Sequence, residues 1–227
     1  MSITAKQITQ LESYDSATVQ NAAVLVQGFV DAAGDYTDPS ISRYTETRRC
    51  VVGVAATSTW TPITSVADPR ADADFWECIE AEAAPVIAVM KDVDSDRLRG
   101  AILGDVMANI MAALGACGAV VDGNVRDVLG IEDAGLNMWA RARVPGHGPF
   151  SLIEHSIKLE VCGLRISPGD VLVCDDDGIT RVSPEIVDDV IDACAVVRDK
   201  ESRRVALTKS PDFTASVWRE YKKNNFN

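Results

Sequence analysis

Three residues in the middle of the chain, Asp105, Arg126 and Asp127, have side chains that could do chemistry together. Asp105 follows Gly104 and opens an apolar stretch, and twenty residues separate it from Arg126. Because glycines bracket both positions, we expect two carboxylates and a guanidinium at two loop ends of one compact strand-and-helix unit. Carboxylate oxygens bind hard divalent cations, and a neighbouring positive charge polarises a carbonyl oxygen. The pattern therefore predicts metal-assisted chemistry on a carbonyl compound.

The apolar spacing around Asp105 predicts the elements that hold it. Leu103 ends an expected strand, and Asp105 is well placed to cap the helix that follows. The apolar positions of that helix are Val106, Met107, Ile110, Met111 and Leu114. Gly115 is its expected end. The free N–H groups of Val106 and Met107 at the helix start are an expected binding site for a carboxylate.

The rest of the chain alternates between expected helices and strands. Asp122-Gly123 is expected to turn the chain toward Arg126. The sequence shows no linker or repeat, which favours a single domain over residues 1–227 with a polar tail from about residue 206. Expected helices cover 10–33, 72–83 and a long segment from Ser183-Pro184, and expected strands cover 51–58, 85–90, 119–121 and a hairpin over 171–182.

Several other motifs have ordinary structural explanations. Residues 175–178, Asp-Asp-Asp-Gly, lack the ligand spacing of a calcium loop and are better explained by a hairpin turn. His147, in a Gly-His-Gly segment expected to be a flexible loop, and His155 are the two histidines. No serine or cysteine lies in a nucleophile elbow, so a hydrolase triad is poorly supported. Glu201 has the surroundings of a solvated helix residue.

Composition excludes several classes of partner. The 227 residues carry a formal net charge of −12, which disfavours nucleic acids and anionic membranes because both require a basic surface. No apolar stretch is long enough for a membrane span, and the N-terminus does not resemble a signal peptide, so we expect a cytoplasmic protein. The six cysteines form no Cys-x-x-Cys pair and are expected to be reduced core residues.

Three segments together resemble a known family. They are Gly104-Asp-Val-Met, Gly118-Ala-Val-Val-Asp-Gly-Asn-Val-Arg-Asp and Ser167-Pro-Gly-Asp-Val-Leu-Val-Cys-Asp-Asp-Asp-Gly. They are similar to the class II pyruvate aldolases that cleave 4-hydroxy-4-methyl-2-oxoglutarate and 4-carboxy-4-hydroxy-2-oxoadipate, in the superfamily of the RraA-like proteins. The resemblance covers roughly residues 10–205. It implies an α/β fold of the swivelling β/β/α kind, a trimer or a dimer of trimers, and active sites at subunit interfaces.

The resemblance also implies a role for each residue of the motif. Asp127 would bind Mg²⁺ or Mn²⁺, Asp105 would hold a water of that ion, and Arg126 would bind the keto oxygen of a 2-oxo acid. The amides from Gly104 to Met107, including those of Asp105 and Val106, would bind the substrate carboxylate. Glu201 matches a glutamate that reaches the metal's waters from the neighbouring subunit. The implied reaction is carbon–carbon cleavage through a pyruvate enolate, with oxaloacetate decarboxylation as a side activity.

Two alternatives remain open at this point. The first is a regulator of the RraA type that binds proteins and has no catalysis, although regulator-type members lack the motif of Asp105, twenty residues and Arg126-Asp127. The second is a metal-dependent lyase with a different hydroxy-acid or sugar-derived substrate. The segment 137–150 favours this second alternative because it resembles the family only loosely, and Asn109 stands where a small residue is expected.

Overall fold

The structure, a computed structural model, describes residues 3–45 and 49–225. The helices are α1 Ala5–Leu11, α2 Ser16–Gln27, α3 Ala32–Asp35, α4 Asp72–Glu80, α5 Asp105–Ala113, α6 Val128–Asp133, α7 Val187–Thr208 and α8 Ala215–Asn225. The strands are β1 Ser42–Arg43, β2 Val51–Thr61, β3 Val86–Asp92, β4 Ala101–Leu103, β5 Ala116–Val125, β6 Asn137–Arg143, β7 Ser151–His155, β8 Leu159–Val161, β9 Leu164–Ile166, β10 Val171–Asp175 and β11 Gly178–Val182.

A mixed nine-stranded sheet forms the centre of the molecule, in the order β1-β6-β5-β3-β2-β10-β11. Strands β2, β3, β5 and β6 run parallel to one another, whereas β1 pairs antiparallel with β6, and β4 adds to the end of β5. The long strand β2 pairs antiparallel with β10 along its first half and with β7 along its second half. The parallel strands bring the ends of β4 and β5 together, and both functional segments begin there.

The two faces of the sheet are covered by different layers. Helices α4, α5 and α6 pack on one face beside α1, α2 and α7, through two adjoining apolar clusters. A third cluster on the opposite face lies under the hairpin of β8 and β9 and includes the buried Trp139. The expected β/β/α sandwich is therefore confirmed.

Several expected elements are confirmed, and others need correction. The expected helix over 10–33 is two main helices, because the Asp15 carboxylate accepts a hydrogen bond from Thr18 N–H and starts α2 anew. Ser183-Pro184 begins a short 3₁₀ turn before α7. The expected polar tail from about 206 continues α7 and then forms α8. The segment 137–150 is a strand, β6, followed by a loop.

In the described ranges, 3–45 and 49–225, no helix is both long enough and apolar enough to cross a membrane. All six cysteines are free thiols, as expected, with Cys162, Cys174 and Cys194 fully buried.

Candidate active site

Asp105 is the first residue of α5, not its cap as expected. Gly104, which has no side chain to cap the helix, occupies the cap position in an extended conformation. The helix starts here because the Gly104 carbonyl accepts the first helical hydrogen bond from Ala108 N–H, 3.0 Å away. Asp105 thus adds its negative charge to the first helical turn, where the helix dipole stabilises it.

Arg126 and Asp127, although neighbours in sequence, form an ion pair with each other. Arg126 Nε lies 3.1 Å from Asp127 Oδ2. The pair closes because Asp127 adopts a left-handed backbone conformation, with φ of 56°, directly before α6. Arg126 N–H donates to the Leu103 carbonyl at 3.0 Å, which fixes the end of β5 beside the start of α5. Both side chains remain partly exposed, Arg126 by 36% and Asp127 by 43%.

Two glycines make room for the acidic side chains. A β-carbon at Gly104 would lie 3.0 Å from Asp127 Oδ2 and 3.2 Å from Arg126 Nε. A β-carbon at Gly130, in α6, would lie 2.7 Å from Asp105 Cβ. The Asp105 side chain therefore rests against α6, and the Arg126–Asp127 pair rests against Gly104. These contacts place the three residues around a common edge.

Asp122-Gly123 does not turn the chain, and that expectation was wrong. Both residues lie inside β5, and the Asp122 carboxylate is buried among Lys91, Arg97 and Arg141. These three cations compensate for its burial, which allows a charged residue in a central strand. Gly123 is required by packing, since a β-carbon there would lie 2.5 Å from Ile102 Cδ1.

The expected carboxylate-binding amides are partly occupied. Val106 N–H donates to Asp105 Oδ1 at 2.8 Å. Ala108 is the first residue whose N–H enters the helical ladder, so Met107 N–H belongs to the open first turn of α5. An incoming carboxylate can reach Val106 N–H only if the Asp105 side chain rotates away.

A cleft of about 170 Å³ lies over this edge. The sequence predicted the stretch from Gly104 to Met107 and Arg126 here, but it did not predict His147 and Phe150, which also line the cleft. Asp127, the predicted metal ligand, is paired with Arg126 and is not among the residues that line the cleft. The Gly-His-Gly segment is anchored, because Ala101 N–H donates to the Gly146 carbonyl at 2.9 Å and Gly148 N–H to the Pro62 carbonyl at 2.7 Å. The scarcity of histidine was the one sequence signal that could have pointed to His147.

Asp94 supports the wall behind His147. Its buried carboxylate accepts hydrogen bonds from Ile63 N–H at 2.8 Å and Thr64 N–H at 2.7 Å. Gly148 packs directly on Ile63, where a β-carbon would lie 2.7 Å from the Ile63 carbonyl oxygen. Burial opposes ionisation of Asp94, but the hydrogen bonds from Thr64 and Ile63 lower its pKa well below the ordinary value. The charged carboxylate therefore holds the His147 loop in place.

Glu201 lies elsewhere in the chain. It is on α7 and lines a separate cavity of about 430 Å³ between α2, α7 and α8, together with Leu25, Arg204 and Tyr221. Within one subunit it is not part of the cleft formed by Asp105 and Arg126.

Two carboxylates at or beside the cleft fit a hard divalent cation: Asp105 lines the cleft, and Asp127 is paired with Arg126, which also lines it. Mg²⁺ often keeps several waters and takes only one or two carboxylates from the protein, which matches the donor set of Asp127 and Asp105. Within 3–45 and 49–225, no group of three or more His, Cys, Asp or Glu side chains could enclose a metal ion. A single subunit therefore supplies an open, oxygen-rich position and no closed metal cage.

Comparison with known proteins identifies the family to which this fold belongs. The family model described as RraA-like, Aldolase/RraA, matches residues 17–181. A protein of Albidiferax ferrireducens named "Putative 4-hydroxy-4-methyl-2-oxoglutarate aldolase" is 33% identical over 96 residues, which are 40% of this chain and 53% of that protein. The chain thus spans about half the length of the curated relatives it matches.

Solved structures show the same fold. A protein of Pseudomonas syringae pv. tomato superposes with a TM-score of 0.75 at 22% identity, covering 94% of this chain and 92% of that one. Streptomyces coelicolor RraAS2, described as an unusual member of the RNase ES inhibitor RraA protein family, has a TM-score of 0.70 at 22% identity, covering 90% of this chain and 98% of that one.

Proposed function

Because this chain belongs to the RraA-like family, we propose that it is a divalent-metal-dependent lyase that cleaves a carbon–carbon bond of a 2-oxo acid through a pyruvate enolate. Its reactions are aldol cleavage of 4-hydroxy-2-oxo acids and, as a side activity, decarboxylation of oxaloacetate. The observation that carries the proposal is the partly exposed Arg126–Asp127 ion pair, because its Arg126 lines a cleft that also contains the N-terminus of α5. The named aldolase relative supports the substrate class.

Arg126 binds the keto oxygen in this mechanism. Both bond cleavages leave negative charge on that oxygen, and a guanidinium fixed beside it stabilises the charge more strongly in the transition state than in the ground state. Arg126 is held in place by its backbone bond to Leu103 and by Asp127. The amides from Gly104 to Met107 bind the substrate carboxylate at the positive end of α5, once Asp105 has released Val106 N–H.

Asp127 is the proposed ligand of Mg²⁺ or Mn²⁺, and Asp105 is proposed to hold one of the waters of that ion. The Asp127 carboxylate lies beside Gly104, which directly precedes Asp105. When bound, such an ion supplies Lewis-acid polarisation of the keto oxygen, in addition to Arg126. The partial exposure of Asp127, 43%, leaves its carboxylate accessible to an ion.

A proton must leave the 4-hydroxyl group during aldol cleavage. Asp105 is the carboxylate of this subunit that lines the cleft and can hold that proton. Glu201 is proposed to assist from a neighbouring subunit, since its own subunit places it in a different cavity.

Two exposed apolar surfaces support such an assembly. Near the cleft, Val106 is 68% and Leu129 78% exposed. Near Glu201, Leu25 is 51% and Val205 49% exposed. Contact between two different surfaces is head-to-tail and closes a ring when the rotation allows, as in a trimer or a dimer of trimers.

The far end of the substrate is proposed to lie against His147 and Phe150. The two rings are held edge to face at 6.3 Å, and His147 Nδ1 lies 2.7 Å from the Gly148 carbonyl oxygen, to which it donates when protonated. This leaves Nε2 for the substrate. The group attached to C4 would therefore be selected by these two residues.

The test is pyruvate formation from oxaloacetate and from 4-carboxy-4-hydroxy-2-oxoadipate, with Mg²⁺ and then with EDTA. We expect turnover that EDTA abolishes and added Mg²⁺ restores. Turnover that is indifferent to EDTA would refute the metal dependence. Absence of turnover on both acids, together with specific retention of an RNA-processing partner, would favour the non-catalytic regulator.

A further inference from the structure

A second group of reactive side chains lies outside the cleft, where α4 meets the end of β7. Cys78 Sγ is 3.3 Å from His155 Nδ1. Ser156 Oγ is 3.1 Å from the same nitrogen and 3.6 Å from the sulfur. On the other side of the imidazole, Arg70 Nη1 is 3.5 Å from Nε2. The Cys78 thiol, the Ser156 hydroxyl and the Arg70 guanidinium thus surround the imidazole of His155.

The thiols of the other cysteines lie in environments that lower their reactivity. Burial raises the pKa of Cys50 and of Cys194 to about 12 and that of Cys162 to about 11. Cys174 is completely buried, and its pKa is raised well above the ordinary value for the same reason. Cys117 donates its thiol hydrogen to backbone carbonyl groups. Cys78 differs from all of them because an imidazole nitrogen lies within hydrogen-bonding distance of its sulfur.

We propose that Cys78 is a site of oxidation by hydroperoxides, with His155 as its general base. The thiol proton passes to His155 Nδ1 as the sulfur attacks one peroxide oxygen. An S–O bond forms and the O–O bond breaks. The departing oxygen takes the proton back from His155 and leaves as water or an alcohol, so the sulfur is oxidised to a sulfenic acid and the peroxide is reduced.

The surrounding residues support each part of this step. Ser156 can donate its hydroxyl hydrogen to the departing oxygen, since it is close to both the sulfur and the imidazole. For Nδ1 to accept the thiol proton the ring hydrogen must be on Nε2, so Arg70, 3.5 Å from Nε2, acts through its charge and not as a hydrogen-bond donor to the ring. That positive charge favours negative charge developing on the sulfur. Cys78 is only partly buried, and Arg70 and Ser156 are exposed, so a small peroxide can approach from solvent.

The experiment treats the full chain with hydrogen peroxide in the presence of a 1,3-diketone that traps sulfenic acids, and measures labelling of each cysteine by peptide mass spectrometry. We expect Cys78 to be labelled first. His155→Gln should slow its labelling by about 10²-fold or more, the loss expected for a general base. His147→Gln is the matched control and should leave the labelling rate of Cys78 unchanged, because His147 lines the cleft and not the Cys78 cluster.

Labelling of Cys78 no faster than that of Cys50 would overturn the proposal, and so would an unchanged rate in His155→Gln. If that variant does not fold, wild-type alkylation by iodoacetamide is the second measurement. Selective alkylation of Cys78 supports the proposal, and uniform alkylation of the cysteines contradicts it. Neither result depends on the lyase activity.

Discussion

Strand β5 carries two aspartate–arginine groupings that serve different purposes. Asp122, in the strand, has a side chain only 3% exposed, and Lys91 at 3.9 Å, Arg97 at 3.3 Å and Arg141 surround it. Asp127, just after the strand, is 43% exposed and has Arg126 as its ion-pair partner. The buried carboxylate is saturated with donors, whereas the exposed one keeps free lone pairs for an ion or a substrate. Burial and the number of partners separate a structural carboxylate, Asp122, from the carboxylate proposed to bind the metal ion, Asp127.

The largest effect should come from breaking the exposed pair. Arg126→Ala removes the guanidinium proposed to bind the keto oxygen and should lower kcat for pyruvate formation by about 10²–10³-fold. The fold should persist, because the Arg126 side chain is 36% exposed. Arg203→Ala is the control, since Arg203 is 73% exposed and pairs only locally with Asp199. Equal activity in the two variants would contradict the assigned role.

Breaking the buried grouping should affect stability instead. Asp122→Asn leaves three cations around a neutral group and should lower the free energy of unfolding by about 2 kcal/mol, measured by urea denaturation. This loss of stability is smaller than the loss expected for a fully buried ion pair, because Lys91, Arg97 and Arg141 keep contact with water. The kcat of the folded fraction should stay close to that of wild type. A large loss of kcat without a loss of stability would show that Asp122 acts in catalysis and not in stability.

A smaller effect should follow from crowding the exposed pair without removing it. Gly104→Ala puts a β-carbon 3.0 Å from Asp127 Oδ2, so the carboxylate must shift. The shift is a few tenths of an ångström, and because a misplacement of about 1 Å costs about 100-fold in rate, we expect kcat to fall by about tenfold. Gly146→Ala is the matched control, because a β-carbon there meets no atom within 4 Å. Similar kinetics in both variants would show that Gly104 is not needed for this geometry.

The smallest effect concerns pH and Asp94. Because the pKa of Asp94 is lowered in the folded protein, its contribution to stability is present above the unfolded value, about 3.8, and is lost as pH falls below it. Denaturation between neutral and acid pH should therefore show declining stability, and Asp94→Asn should reduce that slope. An unchanged slope in Asp94→Asn would mean that the bonds to Ile63 and Thr64 do not depend on the charge.

Local signals in the sequence determined much of this protein. The glycines and apolar spacing after Leu103 predicted the strand, the helix and its end at Gly115, whose φ of 103° no other residue type adopts easily. The sequence also predicted the hairpin over 171–182, and the spacing of Asp105 from Arg126-Asp127 indicated the family. These features depend on residues near one another in the chain, where propensity and turn chemistry act directly.

Only the tertiary structure decided the features that depend on distant segments. Asp122 is in a strand and not in a turn because cations from β3, β6 and the loop after β3 converge on it. His147 enters the cleft because Pro62 and Ala101 anchor its loop, and Glu201 lies away from the cleft because α7 packs on α2. Such contacts join residues far apart in sequence, and their geometry is set by sheet register and layer packing, which local pattern does not encode.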